Sequence, residues 1–127
     1  MLIYIPVSIA ELLDKITILE IKQLYIENPA KLLHINQELL LLNTIKDQHL
    51  PTIDEPLQLL IYELKSTNQT LWNIEELKRK HEKLKLFNQN FIDLARQVYL
   101  KNDLRASIKQ KINTLTHSTI IETKSHC

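Results

Sequence analysis

Val7-Ser8-Ile9-Ala10-Glu11-Leu12-Leu13-Asp14-Lys15-Ile16-Thr17-Ile18-Leu19-Glu20-Ile21-Lys22 is the stretch on which the fold class turns. Ser8 followed three residues later by Glu11 has the form of a capping box, and Val7 is placed to staple onto Leu12. Ile9, Leu12, Leu13, Ile16, Leu19 and Leu24 then recur at helical spacing as a core stripe. The helix is predicted to run to about Glu27. Ile18, Ile21 and Tyr25 form a second apolar patch on nearly the opposite side. Such a helix is either central in a bundle or part of a homodimer or partner-protein interface.

Working outward, Asn28-Pro29 supplies an N-cap and a proline at the first helical position. A second helix is predicted to about Lys46. Residues 47–54, with Pro51, read as a loop. Asp54-Glu55-Pro56 opens a long helical region expected to reach about Leu100. Its apolar stripe begins as Leu57, Leu60, Ile61, Leu64, Leu71 and Trp72. From Leu84 onward the stripe is Phe87, Phe91, Leu94, Ala95 and Val98, rotated by roughly 140°. The region is therefore expected to kink, or to stay one helix with two packing partners. Asn102-Asp103 marks a restart, and a short last helix is predicted to about Leu115. Residues 1–5 and 118–123 are the strand-like pieces and could pair at one edge. The expectation is a single all-α domain over residues 1–127. It is an antiparallel bundle of about four helices, one of them long or kinked, with a minor two-strand pairing of the termini.

Composition narrows the function classes. The chain has 127 residues, a size at which a domain buries roughly two-thirds of its unfolded surface. Its 44% hydrophobic and 24% charged residues suit a packed core rather than disorder. A net charge of +1 gives no general reason to expect nucleic acid or an acidic membrane surface. The uncharged apolar run at residues 39–42 is far too short to span a membrane. The opening residues lack a basic segment and a small-residue cleavage site, so they make a poor signal peptide. A lone cysteine, Cys127, fits a reducing, cytoplasmic setting. Glycine is absent, where about nine would be usual. Phosphate-cradling loops, dinucleotide turns and nucleophile elbows all need glycine, so those readings are excluded.

Three clusters carry candidate chemistry. Glu20 falls within the apolar stripe of the first helix, where a carboxylate is costly unless paired or protonated. It is either satisfied by an Arg from another helix or placed at the edge of the bundle, or it is a raised-pKa acid or a ligand contact lining a cleft. In the long region, Asn68, Glu75, Arg79 and Glu82 continue the line of Leu64 and Leu71, so the stripe turns polar after Trp72. This is either an exposed ion-pair ladder or one wall of a pocket. In the last helix, Arg105, Lys109 and Asn113 recur every fourth residue. Arg105 is expected in a first turn, where a helix favours anions. With Arg96 and Lys124 it could hold phosphate or carboxylate. The alternative is pairing with Asp14, Glu20, Asp93 or Asp103.

Other chemistries lack support. His34, His49, His81, His117 and His126 are scattered, and His81-Glu82-Lys83-Leu84-Lys85 is not a zinc-protease motif because Lys85 replaces the second histidine. No metal and no cofactor is expected. No serine has a supporting histidine, and Cys127 is terminal. The basic run at residues 78–85 is interrupted by Glu82 and has no interleaved aromatics, so it reads as a solvated face.

The segment from Ile5 to Lys22 resembles the opening of an uncharacterised family of short bacterial and phage proteins, a domain of unknown function. Asn68 with Leu71-Trp72-Asn73-Ile74-Glu75-Glu76, the run from Phe91 to Tyr99, and Asn102-Asp103-Leu104-Arg105-Ala106-Ser107-Ile108-Lys109 with Ile112-Asn113 are similar to it as well. So is Glu122-Thr123-Lys124-Ser125. The chain departs from the pattern near His81 and at His126-Cys127. The resemblance spans nearly the whole chain and implies no activity. It suggests a setting in cell-envelope sugar metabolism.

Three functional readings follow. One is a binding or accessory module with a pocket for an anionic small molecule, a phosphorylated sugar or a nucleotide. That pocket would use Asp14, Lys15, Glu20, Trp72, Glu75, Arg96, Arg105 and Lys109. The second is a protein–protein or dimerisation module acting through Ile18, Ile21 and Tyr25. The third is a small all-α enzyme using the same Glu/Arg/Lys cleft.

Overall fold

A computed structural model of the chain describes residues 1–118. Four α-helices account for most of them: α1 (Ile9–Tyr25), α2 (Pro29–His49), α3 (Glu55–Leu84) and α4 (Gln89–Leu115). Each begins at a side chain that satisfies an orphan backbone N–H. Ser8 accepts from the Glu11 N–H at 3.0 Å, Asn28 from Lys31 at 3.1 Å, Asp54 from Leu57 at 3.0 Å and Asn88 from Phe91 at 3.1 Å.

The long region predicted from Asp54 to Leu100 is two helices. Lys85 takes the left-handed conformation, with φ 56° and ψ 37°, and its N–H bonds back to the carbonyls of His81 and Glu82. Leu86 and Phe87 turn the chain, and Asn88 caps α4. The rotation of the apolar stripe marks this break. The restart expected at Asn102-Asp103 does not occur, and α4 runs through both residues without interruption. Good helix formers on either side, and the packing of Ile108 and Ile112, outweigh two modest propensity costs. No strand is present among the described residues, where residues 1–5 have no regular structure. Of the partner segment expected for them, 118–123, all but Ser118 lies outside the described residues.

Helix α1 is the central element. Ala10 and Leu13 pack with Leu57, Leu64, Ile108 and Ile112, joining α1 to α3 and α4. Leu12, Ile16 and Leu19 pack with Ile35 and Leu39 of α2. Two apolar faces on one helix thus serve two partners, and α2 packs on α1 alone. Leu24, placed by spacing in the core stripe, is instead 73% exposed. Ile21 takes a core position in its place.

Candidate functional site

The face of α1 toward α3 and α4 is not uniformly apolar. Asp14 is 1% exposed and Thr17 equally buried, and both sit directly against polar side chains of the two neighbouring helices. Asn68 of α3 uses its Nδ2 group twice, donating to Asp14 Oδ1 at 2.7 Å and to Thr17 Oγ1 at 2.9 Å. Arg105 of α4 donates from Nε to Asp14 Oδ1 at 3.1 Å and from its second guanidinium nitrogen to Asp14 Oδ2. Lys109, one turn further on, lies 3.6 Å from Asp14 Oδ2 and donates to Glu11 Oε2 at 2.8 Å.

The carboxylate of Asp14 is therefore held by three side chains from two helices. Burial pushes its pKa up, because a desolvated carboxylate is disfavoured. The hydrogen bonds from Arg105 and Asn68 and the charges of Arg105 and Lys109 outweigh burial and hold the group below its ordinary 3.8. A carboxylate kept ionised by several donors is a poor general base and no acid. Its chemistry is structural: it pins α1, α3 and α4 in one register.

The network continues toward the start of α1. Asn113, one turn beyond Lys109, accepts from the Ala10 N–H at 2.9 Å, and Ser118 accepts from the Ile9 N–H at 3.3 Å. These are early α1 donors with no intrahelical partner. Asn113 Nδ2 is buried and has no acceptor among the described residues.

On its other side the network borders a cavity of about 500 Å³. Asn68 and Arg105 belong to both, touching Asp14 and lining the cavity. Ile18, Ile21, Leu71 and Trp72 supply the apolar wall. Glu75, Glu76 and Arg79 supply the charged rim. Trp72 is fixed by stacking on Tyr25, with ring centroids 5.4 Å apart and planes 19° from parallel. The Tyr25 hydroxyl in turn accepts from Gln69 Nε2 at 2.9 Å. Glu75 pairs with Lys78 at 3.6 Å, whereas Arg79 makes no ion pair among the described residues.

The structure sorts the sequence candidates. Asp14, Arg105 and Lys109 converge in the network, and Trp72, Glu75 and Arg105 line the cavity. Lys15 is exposed and sits 3.8 Å from Glu11. Glu20 is at the bundle edge, 3.5 Å from Lys65, not within the core. It lies six residues after Asp14, about 240° round the helix. Arg96 is exposed and nine residues before Arg105, so it faces about 180° away. Arg105 is not in a first turn either. Because α4 starts at Gln89, Arg105 is several turns inside it, and no helix terminus assists an anion there. Lys124 lies outside the described residues. Of the patch of Ile18, Ile21 and Tyr25, Ile21 is buried, Ile18 lines the cavity, and Tyr25 stacks on Trp72 while remaining half exposed.

Spacing alone missed Thr17 and the full role of Asn68. The available signal was that Asp14 and Thr17 share a face with Leu13, Ile21 and Ala10, which placed two polar groups inside an apolar stripe. Among the described residues, no group of three or more His, Cys, Asp or Glu side chains is placed to hold a metal ion. None of the described helices is long and apolar enough to cross a membrane.

A family of unknown function, DUF6165, matches residues 3–127. The chain belongs to that family. The DUF6165 match takes in all four helices, and so covers both the Asp14 network and the cavity beside it. Neither a curated protein nor a solved structure matches the chain.

Proposed function

We propose that this DUF6165 chain is a small-ligand-binding module whose site is the cavity between α1, α3 and α4. The observation that carries the reading is the division of labour around that cavity. Arg105 is held by Asp14 as part of the floor, while Arg79 stands at the rim without an ionic partner among the described residues. An anionic group on the ligand would meet Arg79, and an apolar or ring-shaped portion would rest against Leu71 and Trp72. This moves the anion anchor away from Arg105 and Lys109, whose charges are already answered by carboxylates. A phosphorylated sugar or nucleotide meets the requirement, and the family's suggested setting in envelope polysaccharide metabolism makes such ligands the first to test. The antiparallel arrangement of α3 and α4 is part of the proposal. His81 meets Phe91 next to the turn, while Asn68 and Arg105 meet on Asp14 far from it, and both pairings support that order.

Binding is favoured over catalysis because the carboxylate with a displaced pKa, Asp14, is displaced downward and locked in place. Trp72 is the one tryptophan of the chain, so its emission reports directly on the site. Titration with sugar phosphates, nucleoside phosphates and inorganic phosphate is expected to give a saturable change with at least one of them. Arg79→Ala should abolish that change while leaving the far-ultraviolet dichroism intact. A flat response to the whole panel, or a response indifferent to Arg79→Ala, would overturn the assignment.

A further inference from the structure

The end of the α3–α4 pair carries a surface that the cavity does not explain. Ile74 is the last buried residue of α3 and Ile108 the first of α4. Between them no side chain is buried. Ten residues of α3 lie beyond Ile74, so the pair extends past that level by about 15 Å at a rise of 1.5 Å per residue. At its end the turn presents Leu84 at 68%, Leu86 at 47% and Phe87 at 55% exposure. Phe87 is propped edge-on against Phe91, with centroids 5.3 Å apart, which holds its ring at the turn rather than folded away.

The surrounding charge has one dominant sign. Residues 78–85 contain five Lys or Arg side chains and a single carboxylate, Glu82. Lys80, Lys83 and Lys85 are all exposed. The Lys85–Glu82 contact, at 3.5 Å, is between two solvated groups and exchanges readily for another anion. The basic run itself contains no interleaved aromatics. The turn and the next helix supply them, because Phe87 and Phe91 follow the run in the chain, and Phe91 packs against both His81 and Phe87.

We propose that this turn is a docking tip for an anionic phospholipid surface. Three apolar side chains at a convex end have no concave wall to pack on, but they can enter the acyl boundary of a bilayer. The lysines beside them have stems long enough to keep their ammonium groups at the phosphate level. Leu84 and Leu86 would have no role against a nucleic-acid backbone, whereas both gain from leaving water at a bilayer. Docking is peripheral, since no described helix can span the membrane. It would place the cavity near a membrane without depending on what the cavity binds.

Co-sedimentation of the full chain with vesicles tests this. Binding is expected to equimolar phosphatidylcholine and phosphatidylglycerol, to weaken with added salt, and to be absent with phosphatidylcholine alone. Leu86→Ser with Phe87→Ser, and separately Lys80→Glu with Lys83→Glu, should each weaken binding by about tenfold or more. All four residues are exposed, so dichroism and Tm should be unchanged, and a variant that loses its fold is replaced by the single changes. Absence of binding to the anionic vesicles overturns the proposal. So does binding that both double variants retain, or a tip that binds RNA or DNA while ignoring vesicles.

Discussion

Arg105 of α4 donates two hydrogen bonds to the carboxylate of Asp14 in α1, a residue 91 positions earlier and sealed from solvent. Asn68 of α3 completes the coordination. Three of the four helices thus meet at one charged group, and that junction forms the floor of the candidate binding cavity.

Breaking this junction from one side should be costly. Asp14→Asn leaves Arg105 and Lys109 partly buried without a full opposing charge, and removing one partner of a buried pair costs about 3–5 kcal/mol. Arg105→Ala removes two of the hydrogen bonds to the Asp14 carboxylate, leaving Asn68 and Lys109 beside it, and should destabilise by a smaller amount. Urea denaturation of the two single variants and the double variant measures this. The coupling should appear as a double variant less destabilised than the sum of the singles.

Acid should weaken the fold through the same group. The folded-state pKa of Asp14 is depressed, so its stabilising contribution is present above the unfolded carboxylate pKa and is lost as pH falls through the folded value. Unfolding free energy is therefore expected to decline from about pH 4 downward. Asp14→Asn should flatten that part of the profile, although it lowers stability at neutral pH. A wild-type profile as flat as the variant's below pH 4 would remove Asp14 as the acid-sensitive group.

Asn113 makes a distinct contribution at the start of α1. Its side-chain oxygen satisfies the Ala10 N–H, so Asn113→Ala should orphan a buried donor at a cost of about 1–3 kcal/mol. Amide hydrogen exchange at Ala10 and Glu11 should accelerate in the variant, while the α3–α4 turn remains as it was. Uniform acceleration along the chain would instead indicate global destabilisation.

The Tyr25–Trp72 stack predicts an optical signature. Tyr25→Ala opens one face of the indole to water, so Trp72 emission should shift to longer wavelength, and about 0.5–1.5 kcal/mol of aromatic pairing should be lost. Tyr25→Phe keeps the stack but removes the hydroxyl that accepts from Gln69, and should leave the emission nearly unchanged. Identical spectra for all three proteins would show that the stack is absent in solution.

What the sequence by itself determined is local. Ser8, Asn28 and Asp54 announce the first three helices because each supplies an acceptor to a backbone N–H three residues on, a relationship contained within one turn. Apolar spacing likewise declares an all-α chain and shows that α1 has two sticky faces. The break at Lys85 was harder to read because no glycine or proline marks it, and a lysine takes the left-handed position glycine usually fills. Only the tertiary structure decided that α4 continues through Asn102-Asp103 and that Glu20 faces Lys65 at the edge. It also decided that Ile21 turns inward and that Asp14 is the carboxylate that Arg105 answers. Four carboxylates were available to Arg105 by charge alone. The choice fell to Asp14 because the packing of Leu13, Leu64, Ile108 and Ile112 fixes the rotation of α1, α3 and α4 about their axes, and rotation, unlike helix formation, is set by contacts distant in sequence.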